Sequence, residues 1–193
     1  MSNQYFFQPG RMESQYNLTK VETVLFQSSA TNAAVTDGKL AVLGDMALEA
    51  VYTAAYGANR YDLNTIIATI PGTDTVAGVG VINIAGVPTV SNGSGTNTYR
   101  IGSETIGLTA AAGVPVRFRV FSMNDRFFTG GDNFTSTPTV GQYAIVDSTN
   151  GNWKPSSTVP GTGLVAKVVS SSALSQGIDA SVTQYFLRIV QLA

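Results

Sequence analysis

The chain contains no cysteine and no histidine. Without cysteine there are no disulfides, no thiolate nucleophile and no thiolate ligand for a structural zinc. Without histidine, the side chain most often used as general acid or base near neutral pH is missing, and so is the imidazole metal ligand. Ser-His-Asp and Cys-His mechanisms, HExxH sites and Cys/His zinc sites are excluded together. Charge is scarce as well: 12% of residues are Asp, Glu, Lys or Arg, where a typical soluble domain has about 25%. Surface helices are normally built on Glu and Lys, so their scarcity points away from helix. The longest apolar stretches, Ile66 to Ile70 and Val79 to Ile84, fall far short of the roughly 20 residues a membrane-spanning helix needs. The opening MSNQYFFQPGR lacks a basic start, an apolar core and a small-residue cleavage site, so the expectation is a protein made in a cytoplasm without a signal peptide. A net charge of -1 and a pI near 5.3 provide no electrostatic reason to expect a nucleic acid or a membrane as partner.

What fills the chain is uncharged polarity. Ser, Thr, Asn and Gln, with 20 glycines, favour turns and solvated strand faces over helix interiors. A length of 193 residues suits one core, or one core plus an arm. The expected fold is all-β: a small β-barrel, β-tulip-like or sandwich domain with an extended N-terminal arm. Residues 1–29 are read as the arm, containing one strand, and residues 30–193 as the β domain, its compact part beginning near Asp37.

The arm clusters Tyr5, Phe6, Phe7 and Tyr16 without clear period, broken by Pro9-Gly10. Such a segment cannot bury itself locally, so it either packs back on the domain or docks on another subunit, where aromatic rings supply much of the contact energy. Partial alternation over Leu18 to Phe26 predicts a strand. Asp37-Gly38 is a turn signal leading into a β-type run, Lys39 to Asp45. Met46 to Tyr56 fits helix by its alanines or strand by Val and Tyr, and periodicity does not separate the two. Strands are predicted at Leu63 to Ile70 and Val76 to Ile84, and a hairpin pairs Val87 to Val90 with Thr98 to Ile101 around the polar loop Ser91 to Asn97. Val116 to Phe121 alternates, with Val116, Phe118 and Val120 on one face and Arg117, Arg119 and Phe121 on the other. Asn124 to Gly141 reads as an ordered loop with strand pieces. Further strands are predicted at Gln142 to Asp147, Gly163 to Val169 and Gln184 to Gln191. Between them lie a long turn, Asp147 to Pro160, carrying the single Trp153, and a possible helical turn at Ser170 to Gly177.

Few signals carry chemistry. Gly78-Val79-Gly80 through Gly86 lacks GxGxxG spacing and a following helix, so strand glycines beside a close neighbour are the simpler reading. Asp125, Asp132 and Asp147 fall in loops, but none sits in a calcium-loop ligand pattern, and turn capping accounts for them. A two-carboxylate glycosidase is formally open to a chain with 12 carboxylates, yet one Trp and scattered Tyr declare no sugar groove. Three N-x-[ST] matches, at Asn17, Asn92 and Asn133, are chance expectations in so Asn- and Thr-rich a chain. Arg117, Arg119 and Arg126 lie near one another, and Arg is favoured at interfaces for its planar, bidentate head; the plainer reading is a solvated strand face. No catalytic, cofactor-binding or metal-binding residue is assigned. The candidate capsid or inter-subunit contacts are Tyr5, Phe6, Phe7, Arg11, Tyr16, Arg117, Arg119 and Arg126.

The segments Gly113-Val-Pro-Val-Arg-Phe-Arg119, Asn124-Asp-Arg-Phe127, Val140-Gly-Gln-Tyr-Ala144, Trp153, Thr162-Gly-Leu-Val-Ala-Lys-Val168 and Tyr185-Phe-Leu-Arg-Ile-Val190 resemble, in that order, the decoration (cement) proteins of tailed-phage heads of the HK97 type. The resemblance spans roughly residues 37 to 193. It implies a barrel or β-tulip body on the capsid exterior, a homotrimer, the major capsid protein as partner, and an N-terminal arm reaching neighbouring subunits. It implies no catalytic residues and no cofactor. The chain is longer than the smallest such proteins, with insertions expected at Tyr56 to Leu63 and Ser91 to Thr98. On this reading, deletion of residues 1–16 leaves the barrel folded and weakens attachment. Other virion parts remain open as alternatives, namely a tail-tube, baseplate or head-fibre subunit, and so does a carbohydrate-binding module.

Overall fold

The structure is a computed structural model and describes residues 6–13, 17, 20–46, 65–84, 89–91, 97–99, 108–173 and 183–193. Its strands in chain order are β1 (Phe7–Pro9), β2 (Val21–Ser28), β3 (Thr31–Asn32), β4 (Val35–Thr36), β5 (Leu40–Met46), β6 (Thr65–Thr69), β7 (Val79–Asn83) and β8 (Thr89–Ser91). They continue as β9 (Asn97–Tyr99), β10 (Thr109–Ala110), β11 (Val116–Val120), β12 (Arg126–Gly130), β13 (Tyr143–Asp147), β14 (Asn152–Ser156), β15 (Leu164–Ala173) and β16 (Thr183–Leu192). Among the described residues there is no α-helix, and a 3-10 turn spans Gly131–Asn133.

Five strands close into a barrel in the order β11-β7-β5-β6-β2, with β2 pairing back onto β11. All its pairs are antiparallel except β2 with β6. The barrel interior is filled by Val24, Phe26, Ala41, Ala68, Ile82, Val116 and Phe118. So narrow a barrel leaves no lumen, and Gly80 is where that shows. A Cβ there meets the Arg119 carbonyl oxygen and lies 2.7 Å from Cζ of Phe118; the missing side chain is the space the Phe118 ring occupies.

The second layer is a six-stranded antiparallel sheet, β1-β12-β16-β15-β13-β14. Its inner face lies on the outside of the barrel at β5 and β7, where Leu40, Val42, Val79 and Val81 meet Phe127, Ala144, Val146, Trp153, Leu164, Ala166, Val168, Leu187 and Ile189. β5 and β7 are thus covered on both faces, by barrel interior on one side and sheet on the other. That is why Leu40-Ala41-Val42-Leu43 and Val79 to Ile84 read as near-continuous apolar runs instead of alternating. An aromatic cluster centres this layer: Phe127 lies 5.3 Å from Phe7, 5.1 Å from Phe121 and 6.0 Å from Trp153, centroid to centroid.

The predicted strands at Lys39 to Asp45, Leu63 to Ile70, Val76 to Ile84, Val116 to Phe121, Gln142 to Asp147, Gly163 to Val169 and Gln184 to Gln191 all have counterparts, and β8 pairs with β9 as the expected hairpin. Three readings are corrected. Asp147 to Pro160 is not one long turn: residues 148–151 turn, and β14 follows, carrying Trp153 fully buried against the core. Ser170 to Ala173 is a continuation of β15 and not a helical turn; residues 174–177 lie outside the described residues. Arg119 is not solvated as Arg117 is: it is 8% exposed and donates to Asn83 on the neighbouring strand β7. The ambiguous segment beyond Met46, most of the expected insertions, Tyr5 and Tyr16 also lie outside the described residues.

Candidate interaction surface

The predicted contact residues separate into distinct places. Phe6 and Phe7 are buried in the chain's own core, at 2% and 4% exposure. The Phe6 carbonyl accepts from Asn133 Nδ2 at 2.7 Å, Thr129 Oγ1 at 3.1 Å and the Gly130 N–H at 3.1 Å. The Phe7 N–H donates to Asp37 Oδ2 at 2.8 Å, while Oδ1 of the same carboxylate accepts from the Ile84 N–H at 2.7 Å. Asp37, read in the sequence only as a turn residue, is fully buried and ties β1 to the end of β7. Residues 6–12 therefore lie back on the body, ending at the fully buried Met12, and β2, placed by sequence in the arm, is a barrel stave.

Arg11 is exposed, and its carbonyl accepts from the Arg126 N–H at 2.9 Å. A cleft of about 320 Å³ runs between Arg11, Met12 and Glu13 on one side and Met123 to Arg126 on the other. Beneath it Asp125, 3% exposed, accepts from the Glu13 N–H (Oδ1) and the Ser122 N–H (Oδ2), both at 2.8 Å. Burial pushes its carboxyl above the usual value and outweighs those two N–H groups, which pull it down. Arg119 donates from Nε to Asn83 Oδ1 at 3.1 Å; burial, then repulsion from Arg117, lowers its pKa. Its role is inside the barrel wall. Arg117 is exposed and borders a cavity of about 490 Å³ at one barrel end, with Asn83, Thr109, Val114 and Pro115.

The surface with the most organised chemistry is one the sequence reading did not assemble: the outer face of the six-stranded sheet. Since Phe127, Leu187 and Val168 face the core, their neighbours Arg126, Phe128, Phe186, Arg188 and Lys167 face outward. Pairing register sets Arg126 opposite Arg188, Arg188 opposite Lys167, and Lys167 opposite Tyr143, one transverse row over four strands. Lys167 Nζ sits 5.9 Å from the centre of the Tyr143 ring. In the adjacent row Phe128 and Phe186 pack at 4.9 Å with their planes inclined by 40°. Lys154, opposite Ile145 in β14, adds a further exposed cation. Of the 11 Lys and Arg in the chain, four thus stand on this sheet. β12, β15 and β16 contain no Asp or Glu at all, and the one acid within the sheet's strands, Asp147, ends β13 holding its own turn through Thr149 and Asn150. Register pairing was the missing signal, for Arg126, Lys167 and Arg188 are far apart in sequence and become neighbours only across strands.

Among the described residues nothing else gathers reactive groups. Among the described residues no three carboxylates converge to hold a metal ion, and no helix is long and apolar enough to cross a membrane. Trp153, the one tryptophan, is fully buried, so it lines no sugar-binding surface. No protein-family model, no curated protein and no solved structure matches this chain.

Proposed function

We propose that the chain is a non-enzymatic structural protein of a virion, binding the outer surface of a phage capsid as a homotrimer and stabilising the expanded head. The observation that carries this reading is the contrast between a body packed with apolar side chains and an outer sheet face bearing packed aromatic rings framed by Arg and Lys. Arg and aromatic residues are the side chains enriched where protein surfaces meet. The sequence resemblance to decoration proteins supports the same reading, with the major capsid protein as partner and the capsid exterior as location. A clamp that binds only the expanded shell stabilises it by mass action.

The test is co-sedimentation of purified protein with expanded heads, followed by heating heads with and without it. Binding together with a raised head melting temperature supports the reading. Heads that neither bind the protein nor gain heat resistance overturn it, and stacked rings formed by the protein alone point to a tail-tube subunit instead.

A further inference from the structure

Resting on that reading, we infer that the outer face of the six-stranded sheet is the docking surface itself, and that its occupant is a carboxylate-rich protein surface. Arg126, Arg188 and Lys167 stand side by side on adjacent strands, and like charges directly opposite one another destabilise a sheet. Among the described residues no carboxylate forms an ion pair with any of the three, and their strands supply none. Among the described residues, then, no carboxylate neutralises this repulsive row. A row of partner carboxylates relieves it, with the two guanidinium forks available for bidentate contact.

The same face carries the apolar part of an interface. Phe128 and Phe186 are half-buried, Ile145 is half-buried beside Lys154, and the bulge between Val168 and Ser170 leaves Val169 43% exposed next to Lys167. A protein surface fits this better than a nucleic acid. The two rings are packed on each other at 40°, so neither presents a free flat platform for a base to stack on.

The experiment compares wild type with the triple variant Arg126→Gln, Arg188→Gln, Lys167→Gln, and sets the single variant Arg188→Gln against Lys20→Gln, which removes the same single charge off this sheet. Probes are poly-L-glutamate, an oligothymidylate and expanded heads. Thermal unfolding of each variant guards against loss of fold, and removal of like-charge repulsion should leave the triple variant at least as stable as wild type. The expected result is that wild type binds poly-L-glutamate more tightly than oligothymidylate, with affinity falling as salt rises through about 0.1 M, where screening sets in over about 10 Å. The triple variant should lose at least tenfold in affinity for poly-L-glutamate and for heads, and Arg188→Gln should weaken both where Lys20→Gln does not. Tighter binding to oligothymidylate, or a folded triple variant that binds poly-L-glutamate or heads like wild type, overturns the inference. In the second case the capsid role survives. Wild type that binds poly-L-glutamate but never heads overturns the capsid role and leaves the acidic-surface inference standing.

Discussion

Asp37 shows how one side chain can hold distant parts of a fold. Its two carboxylate oxygens accept from Phe7 and Ile84, 30 and 47 residues away, inside a site closed to solvent. Asp37→Ala orphans both N–H groups, each at about 1–3 kcal/mol, so urea unfolding should show a loss of more than about 2 kcal/mol. Asp125 makes a similar tie between the Glu13 and Ser122 N–H groups, but burial raises its pKa. A carboxyl raised in this way favours folding while protonated, and the contribution is lost as pH rises through the raised value. The wild-type advantage over Asp125→Asn should therefore shrink from acid toward neutral pH, as read from urea midpoints; a constant or growing advantage contradicts it.

At the scale of elements, the β2–β3 hairpin turns on Ser29 and Ala30, both with positive φ, 51° and 62°. Two-residue hairpin turns of that hand favour Asn-Gly, and left-handed backbone costs an ordinary residue about 1 kcal/mol. Replacing Ser29-Ala30 by Asn-Gly should raise stability by about 1 kcal/mol or more, measured by thermal or urea unfolding. The missing glycine is also why the hairpin was not legible in the sequence, whereas Asp37-Gly38, with Gly38 at φ 79°, announced its turn. Strands with one solvated face or a long apolar run were legible because their pattern has a period or a length. Trp153 was misplaced in a turn because β14 is short and contains Pro155, and proline normally argues against a strand; here it stands in the outermost strand of the sheet, a position that tolerates it. The arm misled for a related reason: the adjacent residues Phe6 and Phe7 are both buried in the body, which follows no strand alternation. Deleting residues 1–16 removes Phe6, Phe7 and Met12 from the core, and each large buried side chain lost costs about 2–5 kcal/mol. The truncated chain should fail to show a cooperative unfolding transition, contrary to the expectation drawn from sequence alone.

Among the described residues the body is two main β layers that meet at β5 and β7 of the barrel, and its sites were less legible than its fold. Candidate contacts chosen by sequence proximity fell into the core (Phe6, Phe7), the barrel wall (Arg119) and two separate surfaces, while the cation row depends on register that no local pattern records. If many copies clamp one shell, the melting temperature of heads should climb with free protein concentration once it exceeds Kd, by the logarithmic dependence expected of linkage. A plateau at a fixed low ratio of protein to heads, independent of free concentration, contradicts simple mass action.

β16, Thr183–Leu192, lies in the interior of the six-stranded sheet, flanked by β12 and β15. During synthesis, then, the apolar rows of β12 and β15 have no strand between them until the chain has been made through Leu192. The same strand pairs with β12 across more than fifty residues of sequence, a non-local contact of the kind that slows folding and prolongs exposure of unpaired edges. Folding of the sheet layer thus waits on the synthesis of β16, and refolding yield should depend on protein concentration more steeply than the stability of the finished molecule suggests.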